Sequence, residues 1–274
     1  MAKRITKAKR ITKKDIYKEH GIIMIDDSHV LSPIGVTNMP LVDGNSKIGK
    51  GVWHFSTLPG TGMFDVVING MSYTVKGTCP CNCVGCYAMT GNYRYESTIE
   101  SLARKTILAR NYIDWLERAI TAQIKADHVK FVRIHASGDF IDSLYIAMWQ
   151  RICRAFPGVI FWTYTKNKEA ENAFNDIDNA NIVKSVIPGK GKNYGHCDYV
   201  LALYEYLKEA GKSVYICRCG IDKNQHCTNC KGCSVNEYVL FIEHSTDYKA
   251  EKDPLFPVIK AIIESQEIPG VKAA

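Results

Sequence analysis

The chain has 274 residues, 46% apolar and 23% charged, an ordinary globular balance that excludes collagen, low-complexity disorder and disulfide miniproteins. Lys and Arg number 35 against 28 Asp and Glu, and the whole excess lies in residues 1–14, MAKRITKAKRITKK, which hold seven bases and no acid. No run of 18 apolar residues offers a membrane span and no apolar stretch follows the basic start, so the sequence predicts a cytoplasmic protein with no membrane contact.

In chain order, residues 1–14 repeat KRIT and read as a disordered basic arm, a solubilising tail or a nucleic-acid contact. Residues 15–70 form a mixed, mainly β region, with short strand candidates at 52–55 and 64–68. FDVVI and MSYTV flank Asn69-Gly70, the two-residue signature of a type I′ hairpin whose second strand runs into CPCNCVGC. Ser97-Thr98-Ile99-Glu100 reads as a capping box. It opens one long helix to near Ala126, with Leu102, Thr106, Ala109, Ile113, Leu116 and Ile120 at helical spacing. The pattern then alternates. Strands are expected at 129–135, 159–165, 181–186, 213–216 and 238–243. Helices are expected from an Asp142 cap to Phe156, near 168–174, over 198–210 with Gly211 past its end, and over 254–264. Such alternation implies right-handed crossovers and a mainly parallel sheet. The fold class is therefore α/β, with a partial (β/α) barrel or an open doubly wound sheet over residues 71–216 and a cysteine-rich segment over 217–274. Functional residues are expected where strands end.

Eleven cysteines in a chain of cytosolic character point to metal or redox chemistry. Nine fall in two groups: Cys79, Cys81, Cys83 and Cys86, then Cys217, Cys219, Cys227, Cys230 and Cys233. Cys153 and Cys197 stand apart, Cys153 on an apolar helical face as a small buried hydrophobe. Cys79, Cys83 and Cys86 have the spacing Cys-x3-Cys-x2-Cys. Three thiolates on one loop hold three irons of a [4Fe–4S] cluster and leave the fourth iron open, whereas a closed structural site takes four ligands. Cys81 is the alternate, replacing Cys79 or closing a four-thiol site. Cys227, Cys230 and Cys233 form Cys-x2-Cys-x2-Cys, with Cys217 or Cys219 as the fourth ligand of a second [4Fe–4S] cluster or a zinc ion. His196 and His226 are reserve ligands.

The first loop resembles the signature of radical S-adenosylmethionine (SAM) enzymes, although Gly85 stands where an aromatic usually precedes the last cysteine and Tyr87 follows instead. The resemblance implies a [4Fe–4S] cluster on Cys79, Cys83 and Cys86 whose open iron chelates SAM. Reductive cleavage to methionine and a 5′-deoxyadenosyl radical would follow, with a flavodoxin- or ferredoxin-like reductant. Ser137-Gly138-Asp139-Phe140, after VKFVRIHA, resembles the motif that meets the SAM ammonium group. It implies Ser137, Gly138 and Asp139 as cofactor-binding residues, with Gly138 admitting close backbone approach and Asp139 accepting from the ammonium. CPCNCVGCYA, RIHASGDF, WTYTK and the late cysteines together resemble the phage gene-product-88 family, radical-SAM-like iron–sulfur proteins, over roughly residues 70–235. This implies an auxiliary cluster completed by Cys217 and the cytoplasm of a phage-infected bacterium. The expected function is modification of a nucleic-acid or peptide substrate. The alternative is a non-catalytic iron–sulfur or zinc metalloprotein that binds nucleic acid or regulates. Lys166, ending WTYTK, is a candidate contact for a carboxylate or phosphate. Arg133 and His135 alternate with Val132 and Ile134, and Tyr93, Arg94 and Tyr95 are a candidate stacking platform.

Overall fold

β-branched and aromatic runs too short for helices alternate with amphipathic segments along this chain, and they assemble around one five-stranded sheet. The computed structural model describes residues 11–44, 48–83, 86–185, 194–218, 221, 225–230, 232–243 and 249–266. Helix α1 (Lys13–Glu19) opens on a capping box between Thr12 and Asp15. Strands β1 (Ile23–Met24), β2 (His29–Ser32) and β3 (Gly35–Asn38) make a small antiparallel sheet, and β4 (Val42–Asp43) pairs antiparallel with β5 (Val52–His54). The hairpin is β6 (Met63–Ile68) and β7 (Met71–Lys76), turning at Asn69 and Gly70 with φ of 51° and 78°. Helices α2 (Glu96–Asn111) and α3 (Ile113–Ala126) lead to β8 (Phe131–Arg133), α4 (Ser143–Ala155), β9 (Ile160–Thr165), α5 (Lys168–Ala173) and β10 (Ala180–Lys184). Then come β11 (Tyr194–Gly195), α6 (Cys197–Glu209), β12 (Val214–Ile216), the single turn α7 (Cys227–Cys230), β13 (Tyr238–Ile242) and α8 (Phe256–Ser265).

The central sheet runs β10-β9-β8-β5-β4, with β5, β8, β9 and β10 parallel and in chain order. A second sheet, β11-β13-β12, is also parallel. The architecture is mixed α/β with several small sheets, and the described strands close no barrel. Period-two alternation gives the central sheet two buried faces. Phe55, Val132, Phe161 and Ile182 pack with Leu116, Ile120, Trp149 and Ile152 of α3 and α4. Phe131, Ile160, Trp162, Tyr164 and Val183 turn the other way, onto Tyr215, Val239 and the late cysteines. The cysteine-rich segment thus covers the face of the sheet that the helices leave open.

Three expectations change. The single helix ending near Ala126 is two, broken at Tyr112, whose φ of −139° and ψ of 46° are not helical. The break lets each half serve a different core: Leu102, Ala103 and Ile107 pack on the hairpin, while Leu116, Ile120 and Ile124 pack on the sheet. Ser97-Thr98-Ile99-Glu100 lies inside α2, whose N-cap is Tyr95 with no side-chain cap bond. At the basic arm, residues 1–10 lie outside the described residues, and Lys13 and Lys14 belong to α1, with Lys13 2.8 Å from Asp127.

Candidate metal and cofactor site

The first cysteine loop leaves the hairpin beside the C-terminal ends of β5 and β8. Chain entry and exit are stitched together: Thr78 N–H donates to Leu58 O (2.9 Å) and Cys79 N–H to Gly60 O (3.1 Å). The Ser-Gly-Asp turn locks this crossing. Thr57 N–H donates to Ser137 O (3.0 Å), Ser137 Oγ to Thr57 O (3.0 Å), and Asp139 N–H to Thr78 Oγ1 (2.9 Å). Gly138 has φ of +81°, and a Cβ there would stand 2.0 Å from Thr57 Oγ1 and 2.6 Å from Thr78 Oγ1. The close approach expected at Gly138 is therefore to these two threonines.

Asp139 is buried, and its carboxylate accepts from Phe140 N–H (2.8 Å), Thr165 Oγ1 (2.6 Å) and Lys166 N–H (2.8 Å). Burial raises its pKa to about 6, although these three donors and the Lys166 charge favour the carboxylate. Among the described residues Oδ2 accepts from Lys166 N–H alone, which leaves it one acceptor position. Asp139 ties the end of β8 to the end of β9 beneath the cysteines.

Asp139, Cys83 and Cys86 act on the Cys79 thiol, and Cys81 and Cys86 act on that of Cys83. Burial pushes the Cys79 thiol up to about 12 and raises that of Cys83, which the Lys166 charge opposes. Cys81 is exposed, and its thiol is near enough to that of Cys83 to raise it. The far end of the loop is anchored by Tyr87, whose hydroxyl donates to Ala136 O at the end of β8. Tyr93 packs edge-on against Tyr87 at 5.9 Å, while Tyr95 is exposed, so no three-residue platform forms with Arg94. Leu58, Phe64, Met89, Tyr93, Arg94 and Leu102 line an apolar cavity of about 220 Å³ beside the loop.

The second group is built from three elements. Cys217 closes β12, its N–H donating to Leu240 O at 2.8 Å. Cys227 and Cys230 sit on α7, and Cys233 on the 3-10 turn Gly232–Ser234. Asn181 Nδ2 on β10 donates to Cys233 O (2.7 Å) and Asn236 O (2.9 Å), which seats that turn on the sheet. Gly232 lies flat against Tyr215, with room for no Cβ: one would stand 2.3 Å from the ring. Cys217, Cys227, Cys230 and Cys233 all line one small cavity, walled by Phe131 and Trp162. Cys219 lies outside the described residues, and His226 and His196 do not line the cavity. Cys153 and Cys197 are fully buried elsewhere.

Tyr164 Oη donates to Cys233 Sγ (2.7 Å), and Tyr215 Oη lies 3.1 Å from Cys230 Sγ. The Trp162 indole N–H is buried with no partner among the described residues. Arg133 spans the two groups: its guanidinium stacks on Tyr164 at 5.0 Å and donates to His135 O (3.0 Å) and Tyr87 Oη (3.2 Å). Burial disfavours its charge, but Tyr87, Tyr164, Cys227 and Cys233 outweigh that and hold it protonated. His135 is buried against Tyr145, and burial followed by the Arg133 charge lowers its pKa to about 3, so it is neutral. Lys166 donates through Nζ to Ser185 O at 3.0 Å. Sequence reasoning missed Thr57, Thr78, Tyr164 and Tyr215. Alternation along WTYT placed Trp162 and Tyr164 on one face, but only the parallel register set that face against the cysteines.

Among the described residues no three His, Cys, Asp or Glu side chains stand where they would hold a single metal ion. The donor chemistry of the second group nonetheless fits a soft, thiolate-bound centre: four thiols and no carboxylate around one cavity, with an orphaned indole N–H in its wall. The first group offers three thiols on a braced loop at the ends of parallel strands, the place where such sheets put their chemistry.

Fold and site define a mixed α/β protein with two cysteine groups on one parallel sheet. The family model for gene product 88 matches residues 39–234, and the chain belongs to that family. Its relatives include the gene 88 protein of Mycobacterium phage D29, 34% identical over 86 residues, covering 27% of this chain and 35% of the relative. The gene 88 protein of Mycobacterium phage L5 is 46% identical over 41 residues, 15% of this chain and 17% of the relative. The chain thus matches about a third or less of the length of these relatives. No solved structure matches. No helix among the described residues is long and apolar enough to cross a membrane.

Proposed function

We propose that this chain is a radical-SAM-like iron–sulfur enzyme on a partial (β/α) barrel, with Cys79, Cys83 and Cys86 holding a [4Fe–4S] cluster that leaves one iron open. The observation that carries the reading is the bracing of this loop onto the Ser137-Gly138-Asp139 turn at the ends of parallel strands, with Asp139 acting on Cys79. With cluster and SAM bound, the site would supply one-electron reductive cleavage of SAM. Ser137 and Gly138 hold the turn against Thr57 and Thr78. With SAM bound, the Asp139 carboxylate would be the acceptor for its ammonium group. The Lys166 charge favours ionisation of Cys83 against the effect of burial. The apolar cavity beside Tyr93 gives room for an apolar part of the substrate.

Cys217, Cys227, Cys230 and Cys233 hold an auxiliary [4Fe–4S] cluster, with zinc as the rival occupant. The reductant is a one-electron donor of flavodoxin or ferredoxin type, the compartment is the cytoplasm of a phage-infected bacterium, and the basic N-terminal segment is the contact for a nucleic-acid substrate.

One observation favours a second reading. Cys81 acts on the Cys83 thiol, which brings a fourth thiol into the loop. A closed four-thiol site would make this a non-catalytic metalloprotein that binds nucleic acid or regulates. Anaerobically reconstituted full-length protein, given SAM and dithionite, should yield 5′-deoxyadenosine and methionine. Cys83→Ala should abolish the yield and Cys81→Ala should keep it. A reducible cluster that neither binds nor cleaves SAM, and that needs Cys81 for assembly, overturns the enzyme reading.

A further inference from the structure

The auxiliary group carries hydrogen-bond donors that metal holding alone does not require. Two of its four sulfurs face tyrosine hydroxyls from two different sheets: Tyr164 on β9 donates to Cys233, and Tyr215 on β12 lies 3.1 Å from Cys230. A third donor, the Trp162 indole N–H, is orphaned in a side chain that walls the same cavity. Behind Tyr164 stands the Arg133 guanidinium, 5.0 Å from its ring, with no carboxylate partner among the described residues. Among the described residues no acidic one lines the cavity. A half-buried cation without a carboxylate partner among the described residues carries a desolvation cost, and its companions here are thiols and tyrosines.

We infer that Tyr164 and Tyr215, with Arg133 behind them, set the reduction potential of the C-terminal centre, making it a redox centre poised toward its reduced form and not an inert staple. The inference rests on the iron–sulfur reading of this group. Hydrogen bonds to cluster sulfurs and nearby positive charge both stabilise the state carrying the extra electron, so the potential of a thiolate-held cluster rises with them. Burial strengthens both effects, because Tyr215, Cys230 and Cys233 are nearly closed to water. The placement of Arg133 points the same way. Its one guanidinium touches the tyrosine that bonds Cys233 and the tyrosine that follows Cys86, so a single side chain links a neighbour of each cysteine group.

The test is a dithionite titration of the reconstituted full chain, followed by the spectrum of the C-terminal cluster, in a Cys83→Ala background that removes the first cluster. Tyr164→Phe and Tyr215→Phe keep ring packing and remove only the hydroxyl. Each should retain iron and sulfide and shift the reduced-to-oxidised ratio at fixed potential about tenfold toward oxidised, the equivalent of one hydrogen bond. Arg133→Met should shift it the same way. An intact cluster with an unchanged ratio in both tyrosine variants overturns this inference and leaves the metal reading standing. A parent protein that binds stoichiometric zinc without sulfide overturns both.

Discussion

Gly138 and Lys105 show how much single residues bear here. Gly138 combines a left-handed φ with threonine hydroxyls where a Cβ would go, so Gly138→Ala should lose about 2–4 kcal/mol. Gly158, with open space around it and an ordinary φ, should accept alanine with little change. Urea unfolding of the two variants checks this, and a Gly138→Ala protein as stable as the Gly158→Ala one contradicts it. Lys105 on α2 is buried over the Phe55 ring at 5.6 Å, and burial lowers its pKa to about 8. A lysine whose folded pKa lies below its unfolded value weakens the fold below pH 8, and the penalty fades as pH rises toward 10.5. Lys105→Met should therefore stabilise the protein at pH 7 by about 3 kcal/mol, with the gap narrowing through that window. A gap that widens with pH would reverse the sign of the argument. The cysteine groups were legible as residues because thiol spacing is a local property of sequence. The tyrosines that bond the sulfurs were not, since nothing local to WTYT or SVYI says which thiols their faces will meet.

At the scale of elements, local chemistry was legible where one turn decides the matter. Asn69-Gly70 fixes the hairpin, and Asp142 caps α4 through Tyr145 N–H at 2.9 Å. It failed at Tyr112, because an unbroken helical period cannot reveal that its two halves pack on different cores. The basic N-terminus divides in the same way. Charge alone predicted an arm through residue 14, yet Thr12 caps α1, Lys13 pairs with Asp127, and Tyr17 is fully buried against Ala119 and Ala122. Removing residues 1–14 should therefore cost about 1–2 kcal/mol, chiefly the lost cap. Thermal melts of the truncated protein and of Thr12→Ala check this, with Thr12→Ala accounting for most of the loss. A truncation with no effect would mean that the cap contributes nothing.

For the whole molecule, the central relation is that one parallel sheet presents a cysteine loop at its strand ends and packs a second cysteine group on its helix-free face. The parallel run β8, β9, β10 was legible from alternation, but β5, expected in an N-terminal β region, joins it from before the hairpin, and the covering of the second face depends on where residues 217–243 return. The account requires that both groups hold iron and sulfide. The most direct measurement is iron, acid-labile sulfide and zinc per chain in anaerobically prepared protein, in Cys83→Ala and in Cys230→Ala. The account predicts about eight iron and eight sulfide in the parent and about half in each variant. Stoichiometric zinc without sulfide, or full iron retained in either variant, would contradict it.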